Sequence, residues 1–290
     1  MRIVVTGGAG FVGSNLVDKL VDVGSNEIIV IDNLATGSVK NINANVHFEE
    51  FDIRSDWSSS NKLSSFKPDI IFHMAALARI QPSFKRPSEV LSVNCSGTVK
   101  MLDYARLNGS KVVYAGSSSF YFDPQANPYA HSKWIGEEHC KMYNKVFGVS
   151  VAIARFFNVY GPRHVKDGDN ANVLGIFERQ RASSQPLTVT GNGEQRRDFT
   201  HIDDICSGLM AMTKNTWGGD VFNLGRSSNY SINEVARMFK PMEIKYLPSR
   251  PGEARDTLAD IEESKSKLNW EPIKNLPDYI SEFLKSIGVS

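Results

Sequence analysis

A glycine-rich segment near the start of the chain limits the possible folds more than any other feature. The sequence VVTGGAGFVG follows the apolar segment Ile3–Thr6 and leads into a helical pattern. Gly8, Gly10 and Gly13 fit the spacing G-x-G-x-x-G, and Gly7, Gly10 and Gly13 fit G-x-x-G-x-x-G equally well. Glycines permit a tight turn and a close approach of the backbone to a pyrophosphate at the helix N-terminus. The segment therefore predicts a strand, a phosphate-binding turn and a helix.

A second apolar segment, EIIVID, supplies the context that a glycine motif needs to be informative. It ends at Asp32, 19 positions after Gly13, as expected for the second strand of a dinucleotide-binding unit. A carboxylate there accepts hydrogen bonds from both hydroxyls of an adenosine ribose and repels a 2′-phosphate. The pattern favours NAD over NADP. The alternative is that Asp32 only begins the turn DNLATG.

Short β-rich segments alternate with amphipathic segments over the first half of the chain. We predict strands at Ile3–Thr6, Ile28–Asp32, Val46–Phe51, Ile70–His73, Lys111–Gly116 and Val151–Arg155, with helices at Asn15–Val23, Gly97–Leu107 and Ser132–Val146. This alternation is typical of βαβ units around a parallel sheet, and it ends after Asn158–Arg163. The predicted fold class is α/β, a doubly wound parallel (Rossmann) sheet with a smaller C-terminal substrate-binding lobe.

Composition and charge argue against several kinds of partner. The 290 residues carry a formal net charge of +1, and 41% are apolar, so no broad basic surface for nucleic acid or an anionic membrane is expected. No apolar run approaches the ~20 residues of a membrane helix, and the chain opens on a strand rather than a signal peptide. Cys95, Cys140 and Cys206 lie far apart, which fits a reducing compartment and predicts a cytoplasmic location.

The segment SSSFYFDPQANPYAHSK, from Ser117 to Lys133, predicts a proton-transfer set. The serines follow the buried strand KVVYAG, at the sheet edge where open α/β proteins bind ligands. Tyr129 and Lys133 are four residues apart and share one face of a helix. A free tyrosine has a pKa of about 10, and two neighbouring cations, this lysine and an oxidised nicotinamide, would favour its phenolate. Taken alone, Y-x-x-x-K fits an ordinary exposed helix pair equally well.

The histidines do not form a metal-binding pattern. His73, His131 and His201 lie in no H-x-x-x-H or Cys/His cluster, which is the spacing that metal sites require. His201, followed by Asp203 and Asp204, is better interpreted as a helix cap. No metal is predicted.

A series of ordered motifs resembles the extended short-chain dehydrogenase/reductase family, specifically nucleotide-sugar 4-epimerases of the UDP-galactose 4-epimerase type. The motifs are VTGGAGFVGS, DNLATG, FDIR, FHMAA, NCSGT, SSS, PYAHSK, RFFNVYGPR, GEQRRDFTHIDD and RPGEAR. The resemblance implies an NAD-binding Rossmann domain of residues 1–162 plus 194–226. It implies a nucleotide-sugar-binding lobe of residues 163–193 plus 227–290. A UDP-sugar substrate and a homodimer, paired through Gly97–Leu107 and Ser132–Val146, are also expected by resemblance.

The resemblance also implies a cofactor site. By this comparison the cofactor contacts Gly7, Gly10, Phe11, Val12 and Gly13 at the pyrophosphate, Asp32 and Asn33 at the adenosine ribose, Asp52 and Ile53 at the adenine, Ala75 and Leu77 along the channel, and Asn94, Lys133 and Phe157 at the nicotinamide half.

The resemblance further implies the catalytic and substrate residues. Ser117 matches the catalytic hydroxyl, with Ser118 as the alternative, and Tyr129 and Lys133 match the tyrosine and lysine. Asn158, Arg197 and Arg250 match positions that contact the diphosphate, and Glu253 matches one that accepts ribose hydroxyls. Alternatives stay open here, because Arg197 could pair with Asp198 and Arg250 could be a solvated loop residue.

Residue types after the catalytic hydroxyl distinguish reactions within this family. Related 4,6-dehydratases place an Asp-Glu pair directly after it, and sugar-nucleotide decarboxylases usually carry a glutamate two positions after it. Here Ser118 and Ser119 occupy these positions. We therefore expect epimerisation at C4 of a UDP-hexose of the UDP-glucose/UDP-galactose type through a 4-keto intermediate, with uronic and N-acetylated sugars left open. The alternatives are an NAD(P)-dependent reductase or dehydratase of a nucleotide-linked sugar, and a non-catalytic NAD-sensing protein.

Two departures from the family pattern bear on sugar specificity. Only 12 positions separate Ser117 from Tyr129, a shorter connection than family members commonly carry, and it borders the expected sugar pocket. Arg79 lies where the chain would approach the sugar. One hypothesis is that it favours an anionic or acylated sugar; the other is that it is a surface charge.

Overall fold

A computed structural model describes residues 1–289, which form both helices and strands. The strands are β1 Arg2–Thr6, β2 Glu27–Asp32, β3 His47–Glu50, β4 Ile70–His73, β5 Lys111–Ser117, β6 Val151–Phe156, β7 Val159–Tyr160, β8 Leu187–Thr190, β9 Arg196–Asp198, β10 Thr200–His201, β11 Gly218–Leu224, β12 Asn229–Ser231 and β13 Ile244–Leu247. The helices are α1 Phe11–Asp22, α2 Ile80–Lys85, α3 Pro87–Leu91, α4 Gly97–Asn108, α5 Pro128–Phe147, α6 Val173–Ala182, α7 Ile202–Ala211, α8 Ile232–Met238, α9 Glu262–Leu268 and α10 Leu276–Ser286.

A seven-stranded parallel sheet is formed by the first six strands of the chain and by β11. Its strand order is β11-β6-β5-β4-β1-β2-β3, and each neighbouring pair is parallel. Such strands are covered on both faces and read as continuous Val/Ile-rich segments, and the central strands here are almost entirely buried. The prediction of an α/β, doubly wound parallel sheet is confirmed, and each of the six predicted strands ends within one residue of its observed bounds.

Two helix starts were predicted four residues too late. The predicted helices began at Asn15 and Ser132, whereas α1 begins at Phe11 and α5 at Pro128. The apolar periodicity starts later than the helix itself, because the first turn is fixed by its cap. For α5 the Asn127 side chain accepts a hydrogen bond from the N–H of Ala130 at 2.8 Å, and the proline occupies the first turn, where its missing N–H costs nothing.

Three hydrophobic clusters form the core. One lies on the sheet face covered by α1 and α7, and the second lies on the opposite face under α4 and α5. The third joins α6, α8 and α10 to β8. Asp198 ties distant segments together near this third cluster, because its buried carboxylate accepts N–H groups from Arg226, Ser227 and Ala259 at 2.7–3.0 Å. The predicted division into an NAD-binding domain and a nucleotide-sugar-binding lobe, with its boundaries, stays a prediction.

The sequence predicted no membrane helix and no pairing of the three cysteines. Among residues 1–289, no helix combines the length and the apolar character needed to cross a membrane. Cys95, Cys140 and Cys206 are free thiols, the last two buried.

Candidate active site

The turn between β1 and α1 provides a cradle for a phosphate group. Gly10 is the N-cap of α1, no side chain caps the helix, and the first turn contains no acidic residue. Its first N–H groups are therefore available to an anion. A Cβ atom at Gly13 would lie 2.2 Å from the carbonyl oxygen of Gly7, and Gly7 itself has a φ of +68°. The turn can close this tightly only because both positions are glycine.

Asp32 lies at the end of β2, beside this turn. Its carboxylate accepts the N–H of Ala9 at 3.0 Å and that of Leu34 at 2.8 Å. Burial raises the pKa of Asp32, and the two backbone hydrogen bonds oppose that rise. Asp32 therefore begins the turn DNLATG, as the alternative proposed, and it also lines the cavity described below. Each of its oxygens keeps further acceptor capacity for a ribose hydroxyl.

Hydrogen-bonded polar side chains follow Asp32, at the end of the site predicted to hold the adenine. The Asn33 side-chain amide donates to Asp52 at 3.1 Å, and Arg54 donates to both oxygens of Asp52 at 2.9 and 2.6 Å. These bonds hold the pKa of Asp52 well below its usual range. Asp52 itself is not part of the cavity wall, whereas Arg54 is. Arg54 was not among the residues predicted from the sequence, although its position two residues after Asp52 was the available signal.

The predicted proton-transfer residues meet where β5 ends and α5 begins. The Tyr129 hydroxyl donates to Ser117 Oγ at 3.3 Å, and the Ser119 hydroxyl donates to the same oxygen at 2.9 Å. The backbone N–H of Tyr129 donates to Ser83 Oγ at 3.2 Å, which fixes the start of α5 against α2. The two hydroxyls named from the sequence therefore form one pair, and Ser119 completes a group of three.

The electrostatic setting of Tyr129 differs from the one predicted. Burial raises the pKa of Tyr129, while the hydrogen bond with Ser117 and the positive charge of Arg79 lower it. The prediction from the sequence was that two cations, Lys133 and an oxidised nicotinamide, lower this pKa. In the structure the Lys133 ammonium lies 4.5 Å from the centre of the Tyr114 ring, with no hydrogen-bond partner among residues 1–289. Burial lowers the pKa of Lys133 to about 8.

Three further positions named from the resemblance lie behind the cavity wall rather than in it. Lys133, Asn94 and Phe157 are buried, and none lines the cavity. Asn94 holds the wall in place: its side chain accepts the N–H of Leu77 at 2.8 Å and donates to the Leu77 carbonyl at 3.1 Å and to Ser132 at 2.9 Å. Its contact with the cavity is therefore indirect.

The residues expected to hold a diphosphate lie on the opposite side. Arg197 pairs with Glu253 at 3.7 Å, not with Asp198 as the alternative had it. The Asn158 side-chain amide donates to the Asp198 carbonyl at 3.0 Å, so much of its donor capacity is used within the protein. Burial lowers the pKa of Arg197, and the carboxylate of Glu253 opposes that effect. Arg250 lies on an exposed loop at the rim.

One cavity of about 550 Å³ connects these groups. The residues named from the sequence that line it are Gly7, Gly10, Phe11, Val12, Gly13, Asp32, Asn33, Ile53, Ala75, Leu77, Ser117, Ser118, Tyr129, Asn158, Arg197, Arg250 and Glu253. The cavity thus runs from the glycine turn past the Tyr129–Ser117 pair to the Arg197–Glu253 pair. A dinucleotide fits the first half on the observed cradle and acidic residue, and a second phosphate-bearing ligand fits the arginine side.

Comparisons with known proteins agree with this geometry. The family model described as the NAD dependent epimerase/dehydratase family matches residues 3–225. A putative UDP-glucose 4-epimerase of Methanocaldococcus jannaschii is 34% identical over 298 residues, 96% of this chain and 95% of that protein. UDP-glucuronic acid decarboxylase 1 of Arabidopsis thaliana is 35% identical over 316 residues, 99% of this chain and 71% of that protein. The structure of the UDP-glucose 4-epimerase of Thermotoga maritima with UDP-glucose has a TM-score of 0.93 at 29% identity, covering 99% of each chain.

Proposed function

Because this chain belongs to the NAD-dependent epimerase/dehydratase family, we propose that it is a nucleotide-sugar 4-epimerase. It inverts C4 of a UDP-hexose of the UDP-glucose/UDP-galactose type, uronic and N-acetylated forms included, and uses bound NAD. The observation that carries the proposal is the hydrogen bond of 3.3 Å between Tyr129 and Ser117, in the cavity that begins at the glycine turn. Two of the similar proteins named above are a 4-epimerase and a putative one, which supports the same reaction.

The chain's own residues move a proton and hold the substrate. NAD, when bound, supplies a hydride acceptor and donor at C4 and is regenerated in each cycle. Ser117 holds the 4-hydroxyl oxygen, and Tyr129 removes the proton from it. With the C4 hydride passed to the acceptor that NAD would supply, C4 would become the planar carbon of a 4-ketone. Arg197 and Arg250 hold the diphosphate while the 4-keto sugar rotates within the cavity and presents its other face. Tyr129 then returns the proton to the oxygen of the inverted carbon.

The positive charge of Lys133 supports the ionised form of Tyr129 once the nicotinamide side of the site is filled. Its ammonium has no hydrogen-bond partner among residues 1–289, so its three donors are not used within the described chain. Because Lys133 lies behind the cavity wall, its side chain would have to turn from the Tyr114 ring toward the cavity to reach the hydroxyls of a nicotinamide ribose. Arg79 supplies the other positive charge that acts on Tyr129. A tyrosine that burial makes less acidic is in this way brought back toward a working pKa.

Related reactions need groups that this site lacks at the matching positions. A dehydratase or a decarboxylase of the family pattern carries a carboxylic acid one or two residues after the catalytic hydroxyl. Ser118 and Ser119 stand there, and the Ser119 hydroxyl is already donated to Ser117 Oγ at 2.9 Å. A serine hydroxyl does not ionise near neutral pH, so neither residue replaces a carboxylate. Epimerisation requires only the tyrosine, the serine and NAD.

One experiment separates these reactions. The purified protein is denatured and the supernatant assayed for NAD, and the native protein is offered UDP-glucose, UDP-galactose and UDP-glucuronate without added cofactor. Interconversion of C4 epimers, followed by anion-exchange chromatography, is the expected result, and Tyr129→Phe is the inactive control. Release of CO₂, loss of water, or turnover only with added NADH or NADPH would replace the proposal with a decarboxylase, a dehydratase or a reductase. Turnover of none of the sugars would overturn it.

A homodimer and a cytoplasmic location are part of this proposal. The outer faces of α4 and α5 carry exposed apolar side chains, including Leu107, Met142 and Val146, and a two-fold pairing of these helices would cover them. The free thiols fit a reducing compartment. Light scattering coupled to size-exclusion chromatography tests the dimer, and Val146→Glu is expected to shift it toward the monomer.

A further inference from the structure

Arg79 is a half-buried cation in the cavity wall with no carboxylate partner. It directly precedes α2, with an extended backbone (φ −140°), and lines the cavity together with Ser117 and Tyr129. Its Nε donates to the carbonyl oxygen of Asn170 at 2.7 Å. No carboxylate of residues 1–289 lies within 4 Å of its guanidinium. Both terminal nitrogens of the planar fork are therefore available to a ligand.

The other arginines in the wall do not share this combination of features. Asp52 neutralises Arg54 at 2.6 Å, and Glu253 pairs with Arg197 at 3.7 Å. Arg250 has no ion pair among residues 1–289, but it lies on an exposed loop, where water solvates its charge. For Arg79, burial lowers the pKa, and within residues 1–289 the charge that opposes this effect is that of the Tyr129 phenolate. A partly desolvated guanidinium without an anion is unfavourable, so the site is completed by a negatively charged ligand group.

The position of Arg79 indicates which part of a substrate would carry the negative charge. Its charge acts on Tyr129, the residue proposed to exchange a proton with the sugar at C4. The diphosphate is assigned to Arg197 and Arg250. An anion beside Tyr129 therefore belongs to the sugar ring itself. Among UDP-hexoses, the C6 carboxylate of a hexuronic acid supplies such a charge, whereas a hydroxymethyl or an N-acetyl group is neutral.

We propose that Arg79 binds the sugar carboxylate of a UDP-hexuronate and makes this class the preferred substrate. The inference rests on the proposed function. The two free Nη groups pair with both carboxylate oxygens, the geometry that suits a guanidinium best. The hydrogen bond from Nε to Asn170 holds the fork in place, so little side-chain freedom is lost on binding.

Lys85 provides a matched control. It lies on α2 and forms an ion pair with Asp169 at 2.8 Å, in the same turn that contains Asn170. Arg79 and Lys85 thus both fasten this turn to the α2 segment. Lys85 does not line the cavity. Replacing Lys85 removes the ion pair with Asp169 but leaves the Arg79 guanidinium in place. The variant therefore shows the effect of a less stable turn without any loss of carboxylate binding.

The test compares two substrates that differ at C5. UDP-glucuronate carries the carboxylate, and UDP-xylose has the same ring without it. In the full-length protein, Arg79→Ala is expected to lower kcat/KM for UDP-glucuronate by at least ~30-fold, since truncating one partner of a hydrogen-bonded charge pair costs that much or more. For UDP-xylose the loss is expected to be at least ~10-fold smaller than for UDP-glucuronate, because this substrate reports only the loss of the positive charge that acts on Tyr129. Lys85→Ala should change both substrates by less than ~3-fold. Arg79→Lys should retain part of the preference, since it keeps the charge and loses the fork.

Two results would overturn the inference. One is an equal loss on both substrates in Arg79→Ala, which would limit the residue to supporting the structure or the acidity of Tyr129 and would exclude carboxylate binding. The other is a wild-type protein that turns over UDP-xylose or UDP-glucose more efficiently than UDP-glucuronate. If the wild type interconverts no UDP-sugar, the proposed function fails, and calorimetric binding decides the inference by itself. Tighter binding of UDP-glucuronate than UDP-xylose, lost in Arg79→Ala, supports it, and equal affinities refute it.

Discussion

A buried ion pair beneath the proton-transfer residues offers the sharpest test of how this fold holds its site. Glu137 on α5 is 0% exposed and Arg155 on β6 is 5% exposed. Arg155 donates to both carboxylate oxygens of Glu137, at 3.1 Å from Nε and 2.7 Å from Nη2. On its other side, the guanidinium carbon lies 3.4 Å from the centre of the Phe120 ring. The pair therefore links β6 and α5 to the turn Ser118–Tyr121 that follows Ser117.

Replacing Glu137 with methionine keeps the volume and removes the negative charge. It leaves Arg155 without its partner, and it also removes the carboxylate that raises the pKa of Lys133, so two buried cations lose compensation. Breaking one buried pair in this way costs about 3–5 kcal/mol of unfolding free energy. For a chain of about this size, that corresponds to a lower melting temperature by ~5–15 °C.

The assay is chemical denaturation of four proteins: the wild type, Glu137→Met, Arg155→Met and the double variant. The double variant removes both charges and is expected to lie within ~2 kcal/mol of the wild type, because desolvation of the pair cancels much of its attraction. Glu138→Met serves as the control. Its side chain is 47% exposed and pairs with Lys141 at 2.8 Å on the surface, and it is expected to change stability by less than ~1 kcal/mol.

Activity gives a second measurement on the same variants. Without Glu137 the Arg155 guanidinium loses the carboxylate that orients it, which weakens its contact with Phe120 in the turn that carries Ser118 and Ser119. We expect folded Glu137→Met protein to epimerise more slowly at saturating substrate than Glu138→Met. A cost below ~1 kcal/mol for Glu137→Met, or single costs that simply add up to the cost of the double variant, would refute the reasoning, since a coupled buried pair cannot behave in this way.

Three further predictions address the acid–base residue, the cradle and acid stability. Tyr129→Phe is expected to lower kcat by at least ~100-fold while retaining bound NAD; near-normal interconversion of UDP-sugars would contradict the assignment. Gly13→Ala places a Cβ 2.2 Å from a backbone oxygen, so it should lose NAD from the purified protein and ~1–3 kcal/mol of stability, with a smaller loss for Gly10→Ala, where the distance is 3.2 Å. Burial lowers the pKa of His73 from 6.5 to about 3, so the unfolded chain binds the extra proton between these values, and stability falls as the pH is lowered through that window by up to ~1.4 kcal/mol per unit. His73→Gln should remove this part of the slope in denaturation curves recorded from pH 7 to pH 3, and an unchanged slope would contradict it.

Local patterns in the chain were enough to establish the sheet. Six strands were located to within one residue, and five of them are short apolar runs of the kind that a parallel sheet buried on both faces requires. The edge strand β3, HFEE, is more polar and more exposed. The glycine turn followed from spacing alone, since a Cβ at Gly13 would overlap the backbone of Gly7. Helix starts were less accurate, because caps such as Asn127 act outside the apolar period.

The charges around the tyrosine were decided only by tertiary structure. The spacing of Tyr129 and Lys133 predicted that the lysine would act on the phenol, yet the charge of Arg79, 50 positions earlier in the chain, lowers that pKa. Tertiary structure also decided the ion pair of Arg197, because Glu253 is its partner and the alternative from sequence proximity, Asp198, is not. Helix and strand periods are local properties that a sequence displays. Pairings of charges across a cavity depend on how loops from distant segments meet, and burial then sets their strength.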